Sequence, residues 1–501
     1  MKKYLFLSLS SICLFESLAN AQAGSLDLTF GTNGIASCPV GTGRDDAQDM
    51  IIDANGKIVV AGFTEVTVTN FNFSAARFNS NGTLDATFGT GGTTIINTGS
   101  GADEAYSVAI DGSGRIYLAG LIWNGVIRNL GIVRLTSNGL PDNTWDGDGV
   151  WLSQTLYGEY VNDIEIDASG RIVIAGHGGL NDDRLVVLRL NSNAAYDATF
   201  GTGGRVELTG GSDEATSIAF DANNKIMVGA KDEFTIIRLN TNGTLDATFG
   251  TGGSTVVNPT LNTDVLNDIT VDGSGNVVAV GHGGITLQAD FIAVRVTSAG
   301  TIDNTFGTSG VAVISGGIIQ DQGQAVAIDA NGKIIIGGES TDANGTSFSV
   351  VRLNTNGTAD NTFGTSGVAI VNSATVDNGY GMSIDGNGKI VIAGIGDGGS
   401  NTDFFVARLL TTGTISIIDT ESSLAAFIFP NPSSGIFTVI SEEEITSIEI
   451  YNVLGENISP LSPGTGAGGE VEINLSTQPK GIYFVQINSE KGSITKKIVI
   501  Q

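Results

Sequence analysis

The sequence predicts an all-β protein, a seven-bladed β-propeller followed by a small antiparallel β-sandwich (Ig-like) domain. One observation is a unit of about 57 residues that recurs seven times, and another is the alternation of short apolar runs with Gly- and Asn-containing turns. The composition agrees, because 71 of the 501 residues are glycine and only 15% are charged. Such a chain favours short strands and tight turns over helices.

Three signatures mark each unit. The first is the LDxTFG segment, whose copies begin at Leu26, Leu84, Pro141, Tyr196, Leu245, Ile302 and Ala359. The second is the DxxGKIxVAG segment, which begins at Asp53, Asp111, Asp167, Asp221, Asp272, Asp329 and Asp385. The third is an arginine after an apolar run, at Arg77, Arg134, Arg189, Arg238, Arg295, Arg352 and Arg408. A fixed period of this size indicates a propeller, a solenoid or another repeat array.

Each unit contains four apolar runs, which are predicted to be strands. In the second unit these runs are Thr94 to Asn97, Tyr106 to Ile110, Arg115 to Gly120 and Leu130 to Leu135. The link from Asp111 to Gly114 supplies residues that tolerate positive φ, as a hairpin requires. Continuous apolar runs such as Lys333 to Gly337 indicate sheets that are covered on both faces. Together these features predict propeller blades rather than a β-helix or a row of sandwiches.

The three signatures, taken in order, resemble the delta-sixty repeat, a bacterial β-propeller repeat of uncharacterised function. The resemblance covers roughly residues 25–415. It implies the fold and no chemistry, because propellers host many unrelated functions.

The C-terminal residues 425–501 contain no aspartate, and their alternating runs predict strands at Ile436 to Ile440, Ser447 to Asn452, Glu470 to Leu475, Gly481 to Ile487 and Ser493 to Ile500. Four segments resemble the type A C-terminal sorting domain of the type IX secretion system: Pro430 to Pro432, Ile450 to Glu456, Lys480 to Tyr483 and Lys496 to Ile500. That resemblance implies delivery across the outer membrane of a Bacteroidetes-type bacterium, with the secretion machinery as partner of residues 425–501. The alternative is an ordinary adhesive sandwich module.

The N-terminal residues have the pattern of a signal peptide. Lys2 and Lys3 precede an apolar stretch, and Ala19-Asn20-Ala21 forms a small-x-small cleavage site. We therefore expect a signal peptide at residues 1–21, the propeller at 22–415, a linker at 416–424 and the sorting domain at 425–501. The expected destination is the outer cell surface or the medium, by way of the periplasm. No later apolar run is long enough to span a bilayer.

Charge and cysteine content exclude further classes. The formal net charge is −28, which repels nucleic acid and anionic lipid. Beyond the leader, Cys38 is the only cysteine, so no intrachain disulfide forms.

The repeated charges predict structural ion pairs. Six of the signature arginines stand eight residues before an aspartate of the next LDxTFG copy: Asp85, Asp142, Asp197, Asp246, Asp303 and Asp360. A buried arginine needs a paired acceptor, so we expect the two side chains to meet. The alternative is a ring of seven arginines that lines the channel for an anionic ligand.

Candidate chemical groups are few. His177 and His282 are predicted at solvent-facing loop positions of units three and five, which are not neighbours and so do not share a metal. Asp142, Asp146 and Asp148 place oxygen ligands at alternate positions among glycines, so they form a candidate calcium loop; the alternative is a plain acidic turn. No other cofactor is predicted.

The three tryptophans, Trp123, Trp145 and Trp151, fall in units two and three. Trp145 replaces the motif phenylalanine and is expected in the core, whereas the other two offer a carbohydrate-stacking platform.

The expected function is non-enzymatic binding of a glycan or a surface protein, with recognition carried by loops. The alternative is a polysaccharide-active hydrolase or lyase with acidic residues at the mouth of the propeller, because a pair of carboxylates suffices for that chemistry.

Overall fold

The computed structural model describes residues 20–501 except for 68–69, 99–100, 124, 154–158, 179–183, 209–213, 261–263, 286–287, 318, 344, 372–376, 398–400, 416–425, 442–444, 453–456, 462–469 and 490–491. The predicted signal peptide up to residue 19 and the predicted linker lie outside these residues. The described chain is all strand, turn and irregular structure, and it holds no helix with the length and apolar character to cross a bilayer. It divides into two compact units, with the boundary between Thr414 and Ile415.

The first unit contains seven four-stranded antiparallel sheets among the described residues, which we number as blades 1 to 7. Blade 1 comprises Asp45–Ile52, Ile58–Thr67, Asn70–Phe78 and Thr93–Ile96, blade 2 comprises Glu104–Ile110, Ile116–Trp123, Arg128–Leu135 and Val150–Leu152, and blade 3 comprises Glu159–Ile166, Ile172–Gly178, Leu185–Leu190 and Arg205–Leu208. Blade 4 comprises Ala215–Phe220, Ile226–Ala230, Thr235–Leu239 and Ser254–Val256, and blade 5 comprises Asp264–Val271, Val277–Ile285, Gln288–Val296 and Val311–Ile314. Blade 6 comprises Gln320–Ile328, Ile334–Asp342, Gly345–Leu353 and Val368–Val371.

Blade 7 is built from both ends of the propeller sequence. Its first three strands are Asp377–Ile384, Ile390–Asp397 and Thr402–Leu409, and its fourth is Ile35–Cys38, which pairs with the third from Ile35 opposite Ala407 to Cys38 opposite Phe404. Two further strands, Asn20–Ala21 and Thr414–Ile415, have two residues each.

The first strands of successive blades contact one another in a closed circle, from blade 1 through blade 7 and back to blade 1. The first strand of every blade is therefore the innermost one, and the seven blades surround one axis. This arrangement confirms the predicted seven-bladed propeller.

The sequence-based assignment of strands to blades was wrong by one strand. The run from Thr94 to Asn97 lies in the fourth strand of blade 1, not in the sheet that contains Glu104–Ile110. The signature arginine lies in the third strand, and the LDxTFG copy that follows it leads to the fourth strand of the same sheet. A repeat unit that is counted from LDxTFG therefore begins with the fourth strand of the preceding blade. The N-terminal strand must consequently complete the last blade.

Aspartate-capped turns join the first and second strands. The Asp53 carboxylate accepts hydrogen bonds from the Asn55 and Lys57 amides at 2.8 and 2.9 Å. The same two contacts recur at Asp111, Asp167, Asp221, Asp272, Asp329 and Asp385. The carboxylate therefore satisfies two amides that the turn leaves without a backbone partner.

The second and third strands form the core. Ile334, Ile335 and Ile336 are all at most 1% exposed. In a sheet that is buried on one face only, every second side chain would be exposed. Each second strand packs its two faces against the blades on either side, as the continuous apolar runs predicted.

A β-bulge interrupts every first strand, as between Ala47 and Asp49. In six blades a glycine of the second strand faces the bulge, and a Cβ on Gly62 would lie only 1.9 Å from the Asp46 carbonyl oxygen. The bulge inserts one extra residue into the innermost strand of each blade. This residue has no partner in the regular hydrogen-bonding pattern between the first and second strands.

The second unit consists of a three-stranded sheet, Ala426–Phe429, Ile436–Ser441 and Glu470–Asn474, and a four-stranded sheet, Asn457–Leu461, Ile445–Asn452, Gly481–Ser489 and Gly492–Ile500. Phe437, Val439 and Ile473 of the first sheet share a buried core with Val485 and Ile498 of the second. The structure thus confirms the small antiparallel sandwich.

Candidate functional site

The two ends of the propeller differ in sequence. We use the name constant face for the end that holds the turns between first and second strands and the links between third and fourth strands, because these segments carry the repeated signatures. The variable face is the opposite end, which holds the turns between second and third strands and the links between blades.

On the constant face, each signature arginine forms an ion pair with an LDxTFG aspartate, with N···O distances of 2.7 to 2.8 Å. The pairs are Arg77–Asp85, Arg134–Asp142, Arg189–Asp197, Arg238–Asp246, Arg295–Asp303, Arg352–Asp360 and Arg408–Asp27. The predicted pairing is therefore confirmed in six blades. A seventh pair, which the sequence analysis did not include, joins the two ends of the propeller sequence.

Each of these arginines also contacts an aromatic ring and the next blade. The guanidinium carbon lies 4.4 to 5.3 Å from the centroid of the motif aromatic ring in all seven blades. Arg238, for example, donates through Nη1 to the Ser298 carbonyl oxygen of blade 5 at 2.6 Å. These contacts bind the arginines into the scaffold, which rules out the alternative of an arginine-lined channel.

The seven ion-paired aspartates of the constant face have lowered pKa values. Burial alone would raise the pKa of Asp85, but hydrogen bonds from Lys57, Thr87 and Arg77 lower that pKa far below its ordinary range. Asp246 and Asp360 have lowered pKa values through the same kinds of contact. Their charges stabilise the junctions between blades, so these carboxylates are already partnered within the scaffold.

On the variable face, the described residues include a buried acid at the start of the first strand in six blades, at Asp45, Asp103, Glu159, Asp264, Asp321 and Asp377. Asp45 accepts the Val40 amide at 2.7 Å, and Asp321 accepts the Gly316 amide at 2.6 Å, so these acids hold the link from the preceding blade. The sequence analysis missed them. Each stands eight residues before the aspartate of the DxxGKIxVAG signature, a spacing that identifies them.

The bulge residues form a ring around the axis on this face, which we name the mouth ring: Gln48, Tyr106, Asn162, Thr216, Asn267, Gln324 and Tyr380. All seven are half-buried. Beside them, equivalent second-strand positions form the second ring: Phe63, Leu121, His177, Lys231, His282, Glu339 and Ile395. The side chains of both rings change from blade to blade, although the backbone that positions them is repeated.

Below the mouth ring, carboxylates clamp neighbouring blades together. Asp49 accepts the Val108 amide of blade 2 at 2.9 Å, and Asp163 accepts the Ile218 amide of blade 4 at 2.6 Å. Between them, the Ser107 hydroxyl lies 3.0 Å from Asp49 and 3.1 Å from Asp163. Asp268 repeats the contact with blade 6 through the Val326 amide at 2.7 Å.

These axial acids hold protons unusually well. Burial raises the pKa of Asp49 to about 6, and burial together with the charge of Asp49 raises the pKa of Glu165 to about 7. Glu165, on the innermost strand of blade 3, retains water-accessible surface. Within the described ranges, no group of three or more His, Cys, Asp or Glu side chains is placed to hold a metal ion.

Acids of the mouth are paired with bases. Asp46 lies 2.6 Å from Arg44, Glu104 lies 3.2 Å from Arg128, and Glu214 lies 2.8 Å from Lys231. These pairs neutralise the first-strand acids that neighbour the mouth ring in blades 1, 2 and 4.

Glu339 of the second ring differs from these acids. It is 9% exposed, and its Oε2 atom has no hydrogen-bond partner. Burial raises the pKa of Glu339 to about 7. The nearby Tyr380 hydroxyl accepts a hydrogen bond from Asn378 at 3.3 Å. A buried carboxyl group that titrates near neutrality is a candidate for proton transfer or for a ligand contact.

The histidines lie within strands, not in loops as predicted. His177 belongs to Ile172–Gly178 and His282 to Val277–Ile285, and both are half-buried. His177 stacks on Tyr160 with ring centroids 4.6 Å apart, and Asn267 lies 3.4 Å from His282 Nδ1. The second strands extend past Gly176 and Gly281 to include the histidines, because the first strands continue to pair with them beyond the bulge.

The candidate calcium residues lie on the constant face of blade 2. Asp142 is 7% exposed and bonds Arg134 and Thr144, which occupies its carboxylate. Asp148 accepts the Val150 amide at 2.9 Å, and Asp146 has positive φ. Burial and Asp148 raise the pKa of Asp146. The calcium loop stays a prediction in which Asp146 and Asp148 are the side chains still available.

The predicted tryptophan platform is largely wrong. Trp145 is 1% exposed in the core, as predicted, but Trp151 is also buried, at 5%, and packs edge-on against Tyr196 at 5.6 Å. Trp151 sits in the fourth strand of blade 2, where blade 3 covers it. Trp123, at the end of a second strand on the variable face, is half-buried.

Comparisons with known families separate the two units. A family model described as a β-propeller domain of unknown function (DUF5122) matches residues 54–88, 112–144, 222–249, 330–363 and 386–415. A second model, a secretion system C-terminal sorting domain, matches residues 427–501. No curated protein matches the sequence. The name delta-sixty stays an expectation.

Several solved structures are similar in fold. Virginiamycin B lyase from Staphylococcus aureus has 13% identity and a TM-score of 0.46, over 74% of this chain and 98% of that one. YCF48, solved bound to D1 peptide, has 11% identity and a TM-score of 0.46, over 79% and 98%. A protein of unknown function from Dyadobacter fermentans has 12% identity and a TM-score of 0.42, over 75% and 98%. Likenesses this distant leave ligand and chemistry open.

The seven blades and the sorting-domain match lead to one conclusion about the whole chain. It is a secreted or outer-surface β-propeller protein whose C-terminal domain directs it through the type IX secretion system.

Proposed function

We propose that this protein is a non-enzymatic binding protein that recognises a glycan or a surface protein with its variable face. One observation carries the proposal: both rings of the variable face change side chains from blade to blade, whereas the constant face repeats one ion pair in all seven blades. Unrepeated side chains on a repeated scaffold are what a specific site requires, because rigid elements then position distinct groups.

Incomplete hydrogen bonding supports the same face. Buried polar atoms without a partner include Asn72 Oδ1, Asn129 Oδ1, Thr216 Oγ1 and Glu339 Oε2, which all belong to the variable half of their blades. Buried polar groups normally have partners, and a ligand or bound water supplies them where the protein does not.

The proposed route begins with a signal peptide at residues 1–21 in a Bacteroidetes-type bacterium. The protein then crosses the outer membrane and is either released or held at the surface, where only an extracellular ligand is available to it.

The test is a glycan array and a panel of purified surface proteins, probed with residues 22–501 in the presence and absence of calcium. We expect saturable binding without change to the ligand. Binding should fall when mouth-ring residues are replaced and persist when the exposed constant-face residue Leu28 is replaced by serine. Silence across both panels would contradict the proposal.

Glu339 favours a second candidate, a polysaccharide hydrolase or lyase. An acid with a pKa of about 7 is suited to proton transfer at neutral pH. The assay is release of reducing ends or unsaturated products from a polysaccharide panel. Turnover that Glu339→Gln abolishes would establish this candidate and displace the binding proposal.

A further inference from the structure

Aromatic side chains cross the variable face from blade 1 to blade 3. We name this set the aromatic arc: Phe71, Phe63, Tyr106, Tyr160 and His177. The Phe63 ring lies 5.4 Å from Phe71 and 6.5 Å from Tyr106, both edge to face. Tyr160 and His177 stack in parallel at 4.6 Å, with 2° between their planes.

The middle of the arc is held rigidly. Burial and Glu104 raise the pKa of Tyr106, and Tyr160 is close enough to add to this effect. The Tyr106 hydroxyl donates a hydrogen bond to Glu104, and Glu104 also accepts from Arg128 at 3.2 Å. A ring fixed in this way loses little conformational entropy when a ligand stacks on it.

The arc is accessible as well as ordered. Phe71, Tyr106, Tyr160 and His177 are half-buried, so each retains part of its surface in water, while Phe63 is buried beside them. Flat apolar surface that remains wet suits the C–H face of a sugar ring, which is apolar between its hydroxyl groups.

Polar groups flank the arc where sugar hydroxyls need partners. The side-chain amide of Gln48, in the mouth ring of blade 1, makes no hydrogen bond within the described chain. The Thr216 hydroxyl, in the mouth ring of blade 4, is buried and has no partner in the described structure. One amide and one hydroxyl supply both donors and acceptors.

The charges near the arc exclude an acidic ligand. The bases near the arc among the described residues are Arg44, Arg128, Arg184, Arg205 and Lys231. Each is already paired, with Asp46, Glu104, Glu207, Glu159 and Glu214 respectively. A carboxylated or sulfated sugar would meet those acids without a free cation to balance it.

We infer that the aromatic arc is a stacking subsite for a neutral saccharide, with Gln48 and Thr216 as its hydrogen-bonding groups. This inference rests on the proposed binding function and names its ligand class. In this inference, phenylalanine, tyrosine and histidine rings of the variable face take the place of the predicted tryptophan platform.

The experiment measures affinity by calorimetry for neutral oligosaccharides from the array, with acidic oligosaccharides and purified surface proteins as the other arms. Tyr106→Ala should weaken binding of the neutral ligand about tenfold, because it removes one stacking ring. Tyr106→Phe keeps the ring and should stay within about threefold of the wild type. Leu28→Ser, at an exposed position of the constant face, is the control and should leave the affinity unchanged.

Thermal unfolding of each variant identifies loss of fold, and Tyr106→Phe keeps the test informative if the alanine variant is unstable. Binding confined to acidic sugars or to proteins would overturn the neutral-saccharide inference and leave the binding function standing. Neutral binding that Leu28→Ser weakens as much as Tyr106→Ala would also overturn it. Silence in all three arms would remove both proposals.

Discussion

On the constant face, the same arginine, aspartate and aromatic side chain meet in every blade, whereas the equivalent ring positions of the variable face hold amides, aromatics, histidines, a lysine and a glutamate. Both faces stand on the same strands, so backbone geometry does not explain the contrast. The constant face binds each blade to the next, and its side chains have little freedom to change. On the variable face, the bulges and the buried acids at the starts of the first strands hold the backbone in place. The side chains of the mouth ring and the second ring can therefore differ between blades and serve recognition.

The largest effect is expected at the constant face. Arg189→Met leaves the buried Asp197 carboxylate without its closest guanidinium, so the free energy of unfolding should fall by about 3–5 kcal/mol. Urea unfolding measures the change. Gln324→Ala, at the opposite face, should stay within about 0.5 kcal/mol of the wild type. The double variant Arg189→Met with Asp197→Leu should recover part of the loss, and equal effects at the two faces would contradict the comparison.

A pH-dependent effect is expected at Glu339. Burial raises its pKa to about 7 in the folded protein, from an ordinary 4.5. The folded state therefore binds this proton more tightly, so the stabilisation is complete below pH 4.5 and is lost as pH rises through 7. Relative to Glu339→Gln, the wild type should lose on the order of 3 kcal/mol between pH 5 and pH 8. Parallel pH profiles for the two proteins would disprove this.

Calcium offers a smaller test of the constant face. If Asp146 and Asp148 bind the ion, millimolar calcium should raise the Tm of the wild type by about 2–4 °C. The variant Asp146→Asn with Asp148→Asn should show no rise. Differential scanning calorimetry measures both Tm values. If calcium does not change the Tm of the wild type, the segment is a plain acidic turn.

The smallest change is expected from removing the second unit. Deleting residues 425–501 should leave the Tm of the propeller nearly unchanged, because each unit has its own core. The truncated protein should accumulate in the periplasm, where cell fractionation detects it. Surface delivery of the truncated protein, or its unfolding, would refute this prediction.

How far the sequence predicts the molecule depends on which face is considered. Repetition revealed the blade number, the Arg–Asp pairs and the hairpin turns between first and second strands, since each copy supports the others. It could not reveal the aromatic arc, because equivalent positions carry different chemistry. Phe63 and His177 share the second ring with Leu121, and Tyr106 shares the mouth ring with Gln48. Only the bulge register aligns them.

Two other expectations failed for physical reasons. Trp151 was expected at the surface because, unlike Trp145, it does not replace the motif phenylalanine, yet blade 3 covers its strand. The histidines looked like loop residues because Gly-Gly follows each of them, but Gly178, Gly283 and Gly284 continue the second strands. In both cases packing between blades decided the outcome, and no local pattern encodes it.

The pairing of Ile35–Cys38 with the third strand of blade 7 also governs the timing of folding. Contacts between segments so far apart in sequence form late, because their loop-closure entropy must be overcome first. As the chain is synthesised from its N-terminal end, this strand waits unpaired until Leu409 has been added. Closure of the ring therefore acts as a length checkpoint, since only a chain that carries the whole repeat array can complete it.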